Sequence, residues 1–325
     1  MGDRSAIVLE NYEIEVLRTW KGRGAVLCET NQGILILKEY AGHKEKAVFQ
    51  DALLCMIREK GFCQAESIIR NKEQELLTVD VDGTAYILKT YEDGRECNVK
   101  DMEECREAVR TLALLHKVSC PENPISSYVQ PYSIGKELCK HNRELRRVKK
   151  YLKDRGQKTD FEIALLHSYD YFLNLALQVT EELALFENEG ESYFVCHGDY
   201  QYHNVIASGG KMHVINFEKC IYDSPVRDLY LFMRKLLEKS EWSESVGFDL
   251  MQTYEKIRHM EKEEYRKLYY RLAYPEKFWK VVNFYYNSGK AWIPDKNMEK
   301  LLRITGQEKS KQQFLESFKR RYGLS

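Results

Sequence analysis

The segment from His197 to Asn204 places two polar side chains at a spacing that suits phosphoryl chemistry. It reads His-Gly-Asp-Tyr-Gln-Tyr-His-Asn, so Asp199 is followed five residues later by Asn204. A loop of this length can aim a carboxylate at a substrate hydroxyl while an amide oxygen reaches a metal ion on nucleotide phosphates. We therefore take Asp199 as the candidate catalytic base and Asn204 as a candidate metal ligand.

A further candidate metal ligand follows a short hairpin. The turn at 208–211 leads into a strand predicted over 213–217, which is followed by a glutamate. Asn216 stands where this chemistry normally uses an aspartate, and an amide brings no negative charge to Mg²⁺, which prefers hard anionic oxygen. If the strand continues, Glu218 faces the same side as Asn216 and supplies the missing carboxylate.

A lysine and a glycine-bearing turn lie far upstream of this loop. Lys38 closes an apolar run over 34–38, and Gly22 and Gly24 lie in the turn between the first two predicted strands. Such a lysine neutralises phosphate charge, and the backbone of such a turn can approach phosphates. Each signal is weak alone, because the turn matches neither G-x-G-x-x-G nor the Walker A pattern. Their order along the chain favours a nucleotide site.

The first hundred residues have the periodicity of β-strands. Alternation from Tyr12, then the runs 25–29 and 34–38, predicts a three-strand meander. A helix is predicted over 44–60. Strands over 75–79 and 84–88 then form a hairpin around the turn dipeptide Asp82-Gly83.

From residue 101 the period becomes helical. Asp101 and Glu104 are spaced as a capping box. The segment 136–155 is rich in Lys and Arg and carries an apolar stripe, which fits either a solvated basic helix face or a site for an anionic substrate. We predict an α+β, bilobal chain with a β-rich nucleotide-binding lobe over 1–90, a connector over 91–100 and a mainly helical lobe with the catalytic loop over 101–325.

Composition excludes several classes of function. The chain has 325 residues with 50 basic and 50 acidic side chains, and this balance argues against general nucleic-acid binding. No apolar run approaches the ~20 residues of a membrane helix, and the polar start does not resemble a signal peptide. The nine cysteines form no C-x-x-C pair, which indicates reduced thiols in the cytoplasm.

The His-Gly-Asp triplet with Asn204 resembles the signature of the aminoglycoside phosphotransferase and choline kinase group. The resemblance extends from about residue 10 to about residue 290. Within that group the chain is most similar to the CotS family of spore coat kinase-like proteins. The segments that carry this narrower resemblance are 91–97, 113–116, 214–219 and 226–229.

The resemblance implies a protein-kinase-like fold, with ATP and Mg²⁺ as cofactors. Asp199 would take the acceptor proton, and Asn204 and position 216 would bind the metal. Lys38 would hold the nucleotide phosphates. The backbone at Thr90, Tyr91 and Glu92 would meet the adenine, and Asp228 would brace the catalytic loop.

The helix glutamate that usually pairs with the lysine is not evident, and Glu45 and Asp51 are the candidates. The implied partners are a small molecule with an acceptor hydroxyl and other spore coat proteins, with neither nucleic acid nor membrane. The implied location is the cytoplasm and the spore coat.

Two functions compete at this point. The first is transfer of the γ-phosphoryl group of ATP to a hydroxyl of a small molecule, for which Lys38, Asp199 and Asn204 speak. The second is a catalytically impaired pseudokinase with a structural or binding role in the coat. Asn216 and the missing helix glutamate favour this second function. A protein kinase is a weaker alternative, because the sequence lacks the His-Arg-Asp, Asp-Phe-Gly and Ala-Pro-Glu elements.

Overall fold

A computed structural model describes residues 2–22, 24–129, 131–186, 194–288 and 295–324. The chain separates into two compact units. The first comprises residues 1–131, 193–232 and 252–259, and the second comprises 132–192, 233–251 and 260–325. The boundaries predicted at residues 90 and 100 stay a prediction.

The first unit opens with a helix and an antiparallel sheet. Its elements are α1 (Gly2–Leu9), β1 (Val16–Gly22), β2 (Ala25–Thr30), β3 (Gly33–Glu39), β4 (Ile68–Ile69), β5 (Thr78–Val79) and β6 (Ala85–Thr90). The strand order is β1-β2-β3-β6-β4, with β5 also paired to β6. The predicted meander and hairpin are confirmed. The first strand begins later than predicted, because Tyr12 packs with Val8 and Leu9 in the core instead of entering the sheet.

Two helices of the first unit were also predicted. These are α2 (Lys44–Glu59) and α3 (Met102–Val118). Asp101 caps α3 by accepting hydrogen bonds from the backbone N–H groups of Glu103 and Glu104, at 2.9 and 3.4 Å. The second half of the predicted capping box is wrong. The Glu104 carboxylate pairs with Arg95 and accepts from the backbone N–H of Asn98 instead.

Short strands surround the candidate catalytic loop. They are β7 (Arg95–Glu96), β8 (Val195–Cys196), β9 (Val205–Ser208), β10 (Lys211–Val214) and β11 (Ile221–Tyr222). Strands β10, β9 and β7 form one sheet, and β11 pairs with β8. The strand predicted to run to Phe217 ends at Val214, because Asn216 adopts a left-handed backbone with φ of 66° and a 3₁₀ turn follows at Phe217–Lys219. A left-handed residue cannot continue a β-strand.

The second unit is helical. It holds α4 (Ile134–Asp154), α5 (Asp160–Ala184), α8 (Lys262–Ala273), α9 (Glu276–Asn287) and α10 (Asp295–Tyr322), while α6 (Val226–Lys239) and α7 (Glu244–Glu255) are shared between the two units. The predicted apolar stripe of α4 is buried at Leu138, Leu145, Val148 and Leu152. The α+β class is therefore confirmed. Among the described residues, no helix has both the length and the apolar character to span a membrane.

Candidate active site

The loop that carries Asp199 is held in place by hydrogen bonds to Asp228 on α6. The Asp228 carboxylate accepts hydrogen bonds from the backbone N–H groups of His197 and Gly198, at 2.6 and 2.9 Å. His116 contacts the same carboxylate through Nε2 at 3.3 Å. Burial tends to raise the pKa of Asp228, but these hydrogen bonds and the two neighbouring histidines outweigh it and lower the pKa. Asp228 thus occupies the bracing position that the resemblance implied.

His116, Cys196 and Asp228 bring their ligand-type atoms within 4.8 Å of one another. The contacts of these atoms account for the cluster without a metal ion. Both Asp228 oxygens accept hydrogen bonds, and the Cys196 thiol donates to the carbonyl oxygens of Asp223 and Ser224. We interpret the cluster as support for the loop.

Asp199 lies at the tip of this loop with 19% of its side chain exposed. Gln201 Nε2 donates to Oδ1 at 2.6 Å, and the Lys219 ammonium donates to Oδ2 at 2.8 Å. Burial tends to raise the pKa of Asp199, but the bonds from Lys219 and Gln201 outweigh it and lower the pKa. The carboxylate is therefore ionised at neutral pH and accessible, as a proton acceptor must be.

A chain of hydrogen bonds connects this loop to Lys38 on β3. Asn204 Nδ2 donates to the backbone oxygen of Asp199 at 2.8 Å. Asn216 Nδ2 donates to Asn204 Oδ1 at 2.9 Å. The Lys38 ammonium donates to Asn216 Oδ1 at 2.5 Å. Four predicted site residues, from positions 38 to 216, therefore form one connected cluster.

Glu218 takes a different place from the predicted one. Because the strand ends at Val214, the 3₁₀ turn carries the Glu218 carboxylate to Lys89 at 2.6 Å and leaves it 3.9 Å from Lys38. The lysine charges outweigh burial, which alone would raise the pKa of Glu218, and the pKa is lowered. The prediction that Glu218 lies beside Asn216 on a continuing strand is wrong.

Lys89 and Glu66 are site residues that sequence reasoning missed. Lys89 on β6 is fully buried, and its ammonium pairs with Glu66 at 2.9 Å as well as with Glu218. Glu66 also accepts from the backbone N–H groups of Asn216 and Phe217, at 2.9 and 3.1 Å. Burial opposes the charge of Lys89, but the two carboxylates outweigh it and raise the pKa. A lysine inside the apolar strand Ala85–Thr90 was the available signal.

Neither candidate for the helix glutamate pairs with Lys38. Asp51 on α2 pairs with Arg70, and Glu45 is exposed. The acidic groups near Lys38 are Glu218 and Glu66, which offset part of the effect of burial and of Lys89. Burial still dominates and lowers the pKa of Lys38. The lysine is therefore a partly desolvated cation, which binds phosphate oxygens strongly.

A cavity of about 660 Å³ opens beside this cluster within the first unit. Five predicted nucleotide-binding residues line it: Gly22, Lys38, Thr90, Tyr91 and Glu92. Asn216 lies on its wall too, with apolar side chains that include Leu27, Ile36, Ile206 and Ile215. Gly24 is not on the wall; it has φ of 68° in the β1–β2 turn, where its role is to let the chain reverse.

The backbone N–H groups of Thr90 and Tyr91 both donate hydrogen bonds to other parts of the sheet region. The N–H of Thr90 donates to the carbonyl of Ser67, and the N–H of Tyr91 donates to the carbonyl of Ile34, at 2.9 and 3.0 Å. These two donors are used within the fold.

Comparison with known families identifies the family of this chain. A family model described as "Spore coat putative kinase YutH" matches residues 5–318. The chain belongs to this family. The curated "Spore coat protein S" of Bacillus subtilis (strain 168) is 23% identical over 322 residues, covering 93% of this chain and 88% of that protein. Membership of the YutH family and this match support a place in the spore coat and confirm the predicted resemblance.

Solved structures show the fold of this YutH family member. The aminoglycoside phosphotransferase from Alicyclobacillus acidocaldarius subsp. acidocaldarius DSM 446 has a TM-score of 0.84 at 17% identity, covering 98% of this chain and 96% of its own. Spectinomycin phosphotransferase APH(9)-Ia, solved with ADP and spectinomycin, has a TM-score of 0.64 at 11% identity, with coverages of 93% and 92%.

A choline/ethanolamine kinase family protein from Mesorhizobium loti gives a TM-score of 0.59 at 15% identity, with 98% of each chain covered. These likenesses confirm the predicted kinase-like phosphotransferase fold. The roles of individual site residues stay predictions.

Proposed function

We propose that the chain is an ATP-dependent phosphotransferase that moves the γ-phosphoryl group to a hydroxyl of a small molecule in the spore coat. The observation that carries the proposal is the chain of hydrogen bonds from Lys38 through Asn216 and Asn204 to the backbone of Asp199. It joins the residue type that holds phosphates to the residue type that accepts a proton. The structural similarity to aminoglycoside and spectinomycin phosphotransferases and to a choline/ethanolamine kinase family protein supports it.

The nucleotide would bind in the cavity lined by Lys38 and Thr90. Its volume of about 660 Å³ lies within the range of about 300–1,000 Å³ typical of ligand pockets. The purine would pack between apolar side chains, including Leu27 and Ile206, with its amino group at the carbonyls of residues 90 and 91. The phosphates would displace Asn216 as the partner of the Lys38 ammonium.

Asp199 would then act on the acceptor. Its carboxylate accepts the hydroxyl proton as the acceptor oxygen attacks the γ-phosphorus, and the bond from that phosphorus to the bridging oxygen breaks to release ADP. Lys219 keeps Asp199 ionised before this step. The Lys219 side chain is 69% exposed, so its ammonium can turn toward an incoming phosphoryl oxygen.

The side chains offer poor ligands for a resident Mg²⁺. Asn204 and Asn216 supply two neutral amide oxygens, and each already accepts a hydrogen bond. The nearby carboxylate of Glu218 is paired with Lys89. This donor set does not fit a metal ion bound ahead of the nucleotide, so we treat Mg²⁺ as part of the incoming MgATP. Bound there, it offsets the charge of the phosphoryl group.

Nucleotide binding is tested by thermal unfolding. ATP with Mg²⁺ at 100 times its Kd stabilises a binding protein by about 2.7 kcal/mol, which raises the midpoint by a few degrees at this size. We expect that shift for the wild type and its loss in Lys38→Ala. Lys211→Ala, an exposed lysine on β10 of the same unit, is the matched control. Equal shifts in the wild type and Lys38→Ala would contradict binding at this cavity.

The pseudokinase role is the second candidate, and Asn216 favours it because the position lacks a metal-binding carboxylate. A shift with ATP that ignores Mg²⁺, together with no ADP release, would support it. In spores, Asp199→Ala separates the two functions. Loss of spore function with normal folding and localisation supports catalysis, and unchanged function supports the structural role.

A further inference from the structure

The second unit contains a separate cavity between helices. It has a volume of about 230 Å³ and is lined by residues of α5, α6, α9 and α10 and of the α6–α7 and α8–α9 connections. Aromatic side chains form part of its wall: Phe172, Trp242, Tyr274 and Phe278. The volume suits a compound smaller than a drug-sized ligand, for which cavities of about 300–1,000 Å³ are typical.

The charges around this cavity are unequal. Among the described residues that line it, six are cationic and three are acidic, which leaves an excess of three positive charges. The cations are Arg234, Lys235, Lys277, Lys300, Arg303 and Lys311. An excess of this kind in a concave site concentrates anions.

The three carboxylates on the wall each have partners within the protein. Glu238 is shared by two cations, since Arg234 and Lys277 each donate to it at 2.6 Å. Glu276 pairs with Lys280, which is not on the wall. Glu308 accepts hydrogen bonds from Tyr171 and Gln312, at 3.0 and 2.7 Å.

Lys311 is the buried cation at this site. It is 7% exposed, and its ammonium donates to the backbone carbonyls of Ala273 and Tyr274, at 2.9 and 3.4 Å. Its ammonium also lies 5.4 Å from the centre of the Trp242 ring. A buried ammonium held by neutral groups is costly and gains from an added anion. Burial accordingly lowers the pKa of Lys311.

The remaining cations are available to a ligand. Lys235, Lys300 and Arg303 line the cavity and form no ion pair with a described residue. Lys300 and Arg303 lie one turn apart on α10 and are exposed. Lys235 is half-buried on α6, where burial and the charge of Lys277 lower its pKa.

We propose that this cavity binds a small phosphate monoester, with the phosphate on Lys235, Arg303 and Lys311 and a flat apolar portion against the Trp242 wall. An arginine fork and two ammonium groups match phosphate oxygens, and the aromatic wall matches a ring. The site consists only of residues of the second unit, so it is separate from the nucleotide cavity.

The test measures binding by calorimetry with two probes, phenyl phosphate and inorganic phosphate. We expect saturable binding of phenyl phosphate, with a Kd about tenfold or more below that of inorganic phosphate because the ring is buried. The double variant Lys235→Gln/Arg303→Gln should lose about tenfold or more in affinity, since two charge-assisted hydrogen bonds are removed. Neither side chain is buried and neither forms an ion pair with a described residue, so the fold should survive.

Two control variants keep the test decisive. Lys140→Gln/Arg147→Gln removes the same charge from another cationic cluster of this unit and should bind as the wild type does. Lys38→Ala should also bind phenyl phosphate normally. The proposal is overturned by no saturation up to about 10 mM, by equal affinity for both probes, or by an equal loss in either control.

Discussion

Asn216 is the residue that bears most directly on whether this site can bind a metal ion. The resemblance implies a metal-binding role for this position, and the structure connects the residue to three neighbours. Glu66 holds its backbone N–H, Asn204 accepts from its Nδ2, and Lys38 donates to its Oδ1. A carboxylate at this position could accept from Lys38 but could not donate to Asn204, and it would bring a negative charge that the amide lacks.

Restoring the carboxylate gives the first prediction. Asn216→Asp should tighten the binding of Mg²⁺ in the presence of ATP by about tenfold or more, because one anionic ligand replaces a neutral one. Titration of Mg²⁺ at fixed ATP, followed by thermal shift, measures the change. Asn287→Asp on the exposed face of α9 controls for added charge. An unchanged Mg²⁺ dependence would contradict a role for position 216 at the phosphates.

Asp228 gives the second prediction, which concerns stability and pH. Asp228→Asn should lower the free energy of unfolding at pH 7 by about 3 kcal/mol, because one of the buried N–H donors of His197 and Gly198 loses its charged partner. The lowered pKa of Asp228 means that its contribution is present above the unfolded pKa, near 4, and is lost as pH falls through the lower native value. The difference between wild type and variant should therefore shrink in acid.

Urea unfolding at pH 7 and pH 3 measures this difference. Asp93→Asn, at an exposed position of the same unit, is the matched substitution. A stability difference of the same size at both pH values would mean that the Asp228 carboxylate does not brace the loop as a charge.

At the scale of elements, the periodicity of the sequence predicted the regular strands and helices. The runs at 25–29 and 34–38 identified β2 and β3, and the helical stripe at Leu138, Leu145 and Leu152 identified α4. The errors lie at element ends. The strand before Asn216 stops early because a single residue takes a left-handed backbone, and no periodic signal reports one backbone angle.

The turn that carries the catalytic loop gives the third prediction. Gly198 has φ of 81°, and a Cβ there would lie 2.1 Å from the backbone oxygen of Lys219. Gly209, in the β9–β10 turn, has φ of 54° with no atom within 4 Å of its Cβ position. Gly198→Ala should lower the free energy of unfolding by about 3 kcal/mol or more, and Gly209→Ala should lower it by about 1 kcal/mol. Equal losses of unfolding free energy in the two variants would show that the loop does not need the close approach of Gly198 to Lys219.

At the scale of the whole molecule, the sequence predicted the members of the site better than their partners. Lys38, Asn204 and Asn216 were expected together and are hydrogen-bonded. The Lys89–Glu66 pair could not be foreseen, because it depends on tertiary packing between segments 23 residues apart with no motif to mark them. Such pairs are visible only once β6 is placed in the sheet.

The two proposed sites also differ in how far sequence could predict them. The nucleotide cavity is built around a loop with a recognisable spacing. The phosphate-monoester cavity is assembled from cations on α6 and α10 that are about 70 residues apart in the chain and belong to no motif. The basic segment 136–155, which the sequence left as either a solvated helix face or a site for an anionic substrate, lies on α4 up to Asp154 and does not line that cavity.

ADP release measures the central claim most directly. The wild type is incubated with MgATP and a set of small hydroxyl compounds, with water as the default acceptor, beside Asp199→Asn and the surface control Asp93→Asn. We predict ADP release by the wild type and the control, and a rate about 100-fold or more lower in Asp199→Asn, because the proton acceptor is lost. ATP binding without ADP release by the wild type, or equal release by Asp199→Asn, would contradict it.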